Sequence, residues 1–261
     1  MKSFNFKSAA NTKEAMKMAS GRATFLAGGM TLLPAIKLRL AAYSDLINIK
    51  KIKALSGIKV SSKSLRIGAT TTHAEVASSK EVGKSISSLA VLADGIGDPQ
   101  VRNRGTIGGS IANNDPAADY PSACLALNAT IHTSKRKIPA NKFFKGMFET
   151  DLKKGELIES VEFEVPEKSA YAKFPNPASR YAIVGVYVAK LKKEVRVAVT
   201  GVESFVFRCK KLEDALTNNF SPSTIDSVTF SSKGFNSDIH ASAEYRAHII
   251  KVMTKKAVSS C

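Results

Sequence analysis

Three features of the chain predict an α+β fold. Short apolar strand patterns alternate with capped helical patterns at the start, and one central segment alternates with period two. The last third carries two apolar strand runs followed by two helical patterns. The 261 residues are 44% hydrophobic, which suits one large domain or about two to three small ones.

NTKEAMKMAS opens on Asn11 with Glu14 three residues on, an N-cap with a capping-box partner. ATFLA reads as a short strand. LLPAIKLRLA has helical spacing, with Pro34 tolerated in the first turn. DLINI and SLRIGA read as strands, and TTTHAEVASS starts a helix in which Thr72 and Glu75 repeat the capping-box spacing. NATIHTSKRKIPA reads as a hairpin. In ELIESVEFEVP, Val161, Phe163 and Val165 point one way and Glu162 and Glu164 the other, the signature of a half-buried antiparallel strand. PEKSAYAKFPNPAS, rich in Pro, Ser and Lys, reads as a domain boundary. RYAIVGVYVAKL and EVRVAVTGVES read as strands joined by the turn KKE. KKLEDALTNN and SAEYRAHIIKVMTKKAV read as helices, the second with Tyr245, Ile249, Val252 and Met253 on one face. No internal repeat is visible.

Composition narrows the function classes. No apolar run is long enough to cross a bilayer, and the N-terminal stretch lacks a secretory signal pattern, so a cytoplasmic location is expected. Cys124, Cys209 and Cys261 lie far apart and form no CxxC pair. That argues against an iron–sulfur cluster, a zinc site or a disulfide framework within the chain. The net charge is +17, but the lysines are scattered and not interleaved with stacking aromatics, so nucleic-acid binding is not expected.

Two glycine-rich loops carry the chemistry. In FLAGGMTLL a strand ends at Ala27, Gly28 and Gly29 turn the chain, and a helix begins near Thr31. Glycines let backbone N–H groups approach a ligand with no Cβ in the way, and a helix start favours an anion. In GTIGGSIANNDPAADYP, Gly108 and Gly109 follow Thr106 and Ile107, and Ser110 offers a hydroxyl. Asp115-Pro116 reads as an N-cap with Pro at the first helical position; the alternative is that Asp119 instead caps a helix running through CLALNA. Two such loops suggest a ligand with two anionic centres, such as a pyrophosphate. Neither matches the GxGxxG or GxxxxGK[ST] motifs, and DGIGDP lacks a third glycine and a following helix. The spacing of Asp115 and Asp119 does not match a calcium loop. His73, His132, His240 and His248 are dispersed, and no acid, base or nucleophile set emerges; the chain reads as a holder of something reactive.

At these loops the sequence resembles a known family. AGGMTLLPAIKLRL and IGDPQVRNRGTIGGSIANNDPAADYP resemble, in order, the two glycine-loop motifs of the FAD-binding subunit of molybdenum hydroxylases, above all the medium chain of aerobic carbon monoxide dehydrogenases. YAKFPNPASRYAIVGVYVA and SAEYRAHIIKVMTKKAV resemble the start and end of that family's C-terminal domain. The resemblance covers essentially the whole chain. It implies a FAD-binding domain of the vanillyl-alcohol-oxidase (PCMH) type over residues 1–168, in subdomains of about 1–56 and 57–168. An antiparallel sheet with a helical bundle follows over 169–261.

The resemblance further implies non-covalent FAD. By motif match, Ala27, Gly28, Gly29, Met30 and Thr31 form one pyrophosphate loop, and Thr106, Ile107, Gly108, Gly109 and Ser110 the other. Asp119 matches a position near the ribityl and pyrophosphate region, and Tyr181 an aromatic covering one face of the isoalloxazine. Met30, Ser110 and Arg180 depart from the family pattern of Thr or His, Asn, and Asp. The implied partners are a large molybdenum-cofactor subunit and a small subunit with two [2Fe–2S] clusters, in a dimer of heterotrimers that associates with the membrane only through the complex. Electrons then reach FAD from the clusters and leave to an external acceptor: a quinone, oxygen or NAD. A non-redox anion-binding or scaffold protein retaining the fold is the alternative, and a free-standing flavin oxidase fits less well. Carbon monoxide, aldehydes, purines and other N-heterocycles all remain open as substrates.

Overall fold

The computed structural model describes residues 2–261. Its first sheet joins three four-residue strands, β1 (Asn5–Ser8), β2 (Ala23–Leu26) and β3 (Asp45–Asn48), in the order β1-β3-β2 with both pairs parallel. Parallel strands need crossovers, and α1 (Thr12–Met18) and α2 (Leu32–Lys37) supply them. Asn11 starts α1 as its sequence implies: its side chain accepts the Glu14 N–H at 2.9 Å, and Glu14 accepts the Ala10 N–H at 2.7 Å. A small core of Ala9, Ala15, Ile47, Ile49, Ile52 and Leu55 closes this unit.

The second sheet is antiparallel, in the order β4-β5-β10-β6-β7. Its strands are β4 (Ile58–Val60), β5 (Ser64–Gly68), β6 (Thr130–Thr133), β7 (Lys137–Pro139) and β10 (Ile158–Glu164). A short helix α9 (Ala140–Phe143) leads into a separate hairpin of β8 (Phe144–Gly146) and β9 (Glu149–Thr150). β10 keeps the period-two pattern, with Val161 and Phe163 fully buried between β5 and β6. Six helices intervene between β5 and β6: α3 (His73–Ser78), α4 (Lys80–Ser85), α5 (Ser87–Asp94), α6 (Pro99–Arg104), α7 (Ile107–Asn113) and α8 (Tyr120–Ala126). Thr72 and Glu75 form the full capping box at α3.

The third sheet is a four-strand meander of β11 (Lys168–Pro175), β12 (Ala182–Lys190), β13 (Val195–Thr200) and β14 (Phe207–Arg208). α10 (Lys210–Asn218) and α11 (Ala243–Ser259) follow. β12 is buried on both faces, which explains its unbroken apolar run. Val184, Val186 and Val188 face Leu212 of α10 and Ile250 of α11 in one core. Tyr187 and Ala189 face Leu89 of α5 and Ala123 of α8 in the other. Among the described residues, no helix is long and apolar enough to cross a membrane.

Several local readings are corrected. PEKSAYAKFPNPAS, read as a domain boundary, also holds a strand, β11, which opens the third sheet with Ala170 and Ala172 buried; two small residues among lysines hide its alternation. A helix does follow DGIGDP: α6, with Asp98 accepting the Val101 N–H and Pro99 in its first turn. No helix starts at Pro116, because Asp115 spends its carboxylate on the Ala117 N–H in an isolated turn. Gly108 and Gly109 lie inside the first turn of α7. On α11 the buried face runs through Ile249, Ile250 and Met253, leaving Tyr245 and Val252 exposed.

Candidate functional site

The first glycine loop leaves β2 at Leu26 and reaches α2 at Thr31. Gly29 adopts φ +77°, which only glycine enters without strain. Gly28 is needed for a different reason: a Cβ there would strike the Arg104 carbonyl and the Gly105 Cα, so this loop rests directly on the start of the second motif. Among the described residues, the backbone N–H groups of Gly28, Gly29, Met30, Thr31 and Leu32 donate to no backbone or side-chain acceptor. Backbone donors are rarely left unpaired unless water or a ligand takes them.

The second loop is built differently. Thr106 caps α7, its Oγ1 accepting the Gly109 N–H at 3.1 Å. The Ile107 N–H goes to Thr71 O at 3.1 Å, the Gly108 N–H to Ala69 O at 2.9 Å and the Ser110 N–H to Thr106 O at 2.9 Å. Gly108 lets α7 lie on the end of β5, since a Cβ there would sit 2.6 Å from the Ala69 Cβ. Gly109 is exposed; a Cβ on it would meet only the Thr106 Oγ1, at 2.9 Å, and otherwise open space. The two loops are therefore not a symmetric pair of donors. The first offers N–H groups, and the second offers a bare helical surface with the Ser110 hydroxyl beside it.

Between them lies a cleft of about 580 Å³. Eleven of the twelve residues singled out from the sequence line it: Ala27, Gly28, Gly29, Met30, Thr31, Thr106, Gly108, Gly109, Ser110, Asp119 and Tyr181. Ile107 does not; its side chain is fully buried in the middle core, where it anchors α7.

Asp119 is buried at the cleft wall. The Tyr171 hydroxyl donates to its Oδ1, and the Lys173 ammonium lies 3.1 Å from Oδ1 and 3.3 Å from Oδ2. Burial pushes the Asp119 pKa up, while Lys173 and the Tyr171 hydrogen bond oppose that shift. Asp119 occupies the N-cap position of α8 but makes no capping bond. Asp115, half-buried in the cleft, is also raised by burial, with its bond to the Ala117 N–H pulling the other way.

The third sheet grips the segment between these aspartates. The Gly201 N–H donates to Pro116 O at 2.8 Å, the Ala182 N–H to Ala117 O at 3.2 Å, and Thr200 Oγ1 lies 2.8 Å from both Pro116 O and Ala118 O. Tyr181 sits immediately before Ala182 and is 42% exposed, with its side toward the cleft. Lys173, Tyr171 and Thr200 carry no sequence signal as site residues, because the partners that bring them to the cleft wall, Asp119, Pro116 and Ala118, are more than fifty residues away. His73 was seen only as one dispersed histidine. It lines the cleft with its Nδ1 buried and unpartnered, beside Tyr120, whose hydroxyl is likewise unpartnered.

This donor set fits FAD. Five unpaired N–H groups in one loop suit a pyrophosphate, and Gly109 leaves open the space that any side chain there would fill. The FAD binding domain in molybdopterin dehydrogenase matches residues 2–167, and the CO dehydrogenase flavoprotein C-terminal domain matches residues 169–261. The chain is 36% identical to the glyceraldehyde dehydrogenase medium chain of Sulfolobus acidocaldarius, covering 97% of this chain and 96% of the relative. It is 33% identical to the carbon monoxide dehydrogenase medium chain of Hydrogenophaga pseudoflava, covering 91% and 88%. Among solved structures, it is similar to the carbon monoxide dehydrogenase from Hydrogenophaga pseudoflava, with a TM-score of 0.89, 30% identity and coverage of 99% and 96%. It is also similar in fold to quinoline 2-oxidoreductase from Pseudomonas putida 86, with a TM-score of 0.89, 26% identity and coverage of 100% and 98%. The chain belongs to the family of FAD-binding flavoprotein subunits of molybdopterin dehydrogenases, and is an oxidoreductase subunit of mixed α+β fold.

Proposed function

We propose that this chain is the electron-transfer flavoprotein of a molybdenum hydroxylase. It receives electrons from [2Fe–2S] clusters of a small partner subunit and passes them to an external acceptor, while a large subunit holds the molybdenum cofactor and the substrate. Bound FAD supplies the exchange between one-electron and two-electron carriers. The observation that carries this reading is the convergence of both glycine motifs on one cleft, with five unpaired N–H groups on one side and Gly109 bare on the other.

The chain's own residues then hold and shield. The backbone from Gly28 to Leu32 takes the pyrophosphate oxygens. Ser110 and Thr31 supply hydroxyls beside them, and Asp119 flanks the ribityl region. Tyr181 covers one face of the isoalloxazine and limits its contact with water. Three units at about 1–56, 57–168 and 169–261 cooperate in this: the first gives the donor loop, the second the opposing helix, the third Tyr181. The partners assemble with the chain as a dimer of heterotrimers in the cytoplasm.

The test is reconstitution. The purified chain, mixed with FAD and desalted, is expected to retain flavin absorbance and to be reduced by the small subunit. A chain that stays colourless contradicts the reading.

A further inference from the structure

We propose that Lys173 is the positioning residue for Tyr181: it ties three cleft-lining segments together and so holds the turn that presents the Tyr181 ring to the cleft. This rests on the reading that Tyr181 covers the isoalloxazine.

The Lys173 side chain is only 10% exposed. Its Nζ carries three N–H bonds and has three partners. It donates to Gly95 O at 2.7 Å, to Arg180 O at 3.0 Å and to the Asp119 carboxylate. Gly95 caps the end of α5, Asp119 starts α8, and Arg180 directly precedes Tyr181. One ammonium thus links points that lie far apart in sequence. An ammonium buried this deeply needs a counter-charge. Asp119 supplies it, and Tyr171 orients Asp119 in turn.

The turn is closed by its own bonds and held from outside at Arg180, whose carbonyl accepts from Lys173 and whose guanidinium reaches Gly97 O at 3.4 Å. Within residues 176–181, the Arg180 N–H donates to Asn176 O at 2.8 Å and the Asn176 N–H to Tyr181 O at 2.8 Å. Asn176 Oδ1 accepts the N–H groups of Ala178 at 2.9 Å and Ser179 at 3.2 Å. These bonds are local. Arg180 adopts φ +61°, a left-handed conformation uncommon for a residue with a side chain. The strand pairing also slips between Phe174 and Pro175, so the ladder ends just before the turn. The Lys173 bond to Arg180 O acts on the residue that carries the strained φ. Tyr181 is 42% exposed and its hydroxyl also hydrogen-bonds the Thr31 side chain, so the ring is held at its tip by Thr31 and at its base by the turn on which Lys173 acts.

The test compares Asp119→Asn with the double variant Asp119→Asn/Lys173→Met. The parent variant removes the counter-charge of Lys173 but leaves it, charged or neutral, at least two N–H bonds for Gly95 O and Arg180 O, and the pair differs only in the lysine, so any role of Asp119 toward FAD is common to both. The double variant buries no unpaired carboxylate. Each protein is loaded with FAD, and the fluorescence of the bound flavin and its midpoint potential are measured beside Tyr181→Ala. Both readings are taken per bound flavin at saturating FAD; the expected result is flavin fluorescence in the double variant raised severalfold over the Asp119→Asn arm, toward the Tyr181→Ala level, and its potential shifted the same way. Equal fluorescence and potential in the two arms overturn the proposal. Failure of the wild-type chain to take up FAD counts against the FAD reading instead. On the wild-type chain alone, the locked Nζ protons are expected to give a slowly exchanging lysine ammonium signal in 15N NMR. If every lysine ammonium exchanges fast, the proposal also falls, whether or not the double variant folds.

Discussion

The backbone of Gly28 lies against the backbone of Arg104, so closely that a Cβ on Gly28 would overlap the Arg104 carbonyl. This contact joins the parallel three-stranded unit to the helices of the middle unit and fixes the width of the cleft between them. Gly28→Ala is therefore expected to destabilise the fold by about 1–3 kcal/mol, as overpacking against backbone does. Chemical denaturation checks this; an unchanged midpoint would show that the loops separate freely.

Gly109 gives the opposite outcome. It is helical without a positive φ, and a side chain on it projects into the cleft past one close atom, the Thr106 Oγ1. Disturbing that cap costs about 1 kcal/mol, and replacing a helical glycine returns roughly 0.5–1 kcal/mol. Gly109→Leu is expected to fold with near wild-type stability and to lose FAD affinity by more than about tenfold, or 1.4 kcal/mol. Flavin titration beside a thermal melt separates the two effects.

Thr200 reaches across from β13 to the segment that follows α7. Thr200→Val removes the hydroxyl shared by the Pro116 and Ala118 carbonyls and leaves a buried acceptor unpaired. The expected loss is about 1–3 kcal/mol of stability, with faster hydrogen exchange at Ala182 and Gly201, whose N–H groups bind the same segment. Unchanged exchange at those two amides would contradict the tie.

His73 sets a pH dependence. Burial, helped by the positive charge of Arg102, pushes its pKa from 6.5 down to about 4. The unfolded chain takes up the proton near pH 6.5 and the folded chain only near 4. The folded state therefore keeps its full His73 contribution above pH 6.5 and loses it as the pH falls toward 4. The loss by pH 4 is on the order of 2–3 kcal/mol. Stability measured from pH 7 to pH 4 is expected to fall less steeply in His73→Phe; parallel curves would show that His73 titrates normally.

Local signals in the sequence settle some elements but not all: the cap at Asp98 and the isolated turn at Asp115 are equally local, and both differ from their sequence reading. The Asn11 and Thr72 caps and the alternation of Val161 and Phe163 depend on neighbours within a few residues, and the structure has them. The glycine motifs placed the cleft, but not its asymmetry, because the N–H groups of Ile107 and Gly108 are spent on Thr71 and Ala69, in a different element. β11 was hidden because its inward residues are alanines, small enough to pass for linker. The bonds of Lys173 and Tyr171 to Asp119 and of Thr200 to Pro116 are not legible in the sequence: each spans more than fifty residues and exists only once the sheets meet.

The most direct measurement is FAD titration of the wild-type chain alongside Gly109→Leu, followed by visible absorbance after removal of free flavin. One tightly held, non-covalent flavin is expected per wild-type chain, released on denaturation, and none on a folded Gly109→Leu chain. A wild-type chain that holds no flavin, or a Gly109→Leu chain that holds it equally well, would contradict the claim that the cleft between the two glycine loops is the FAD site.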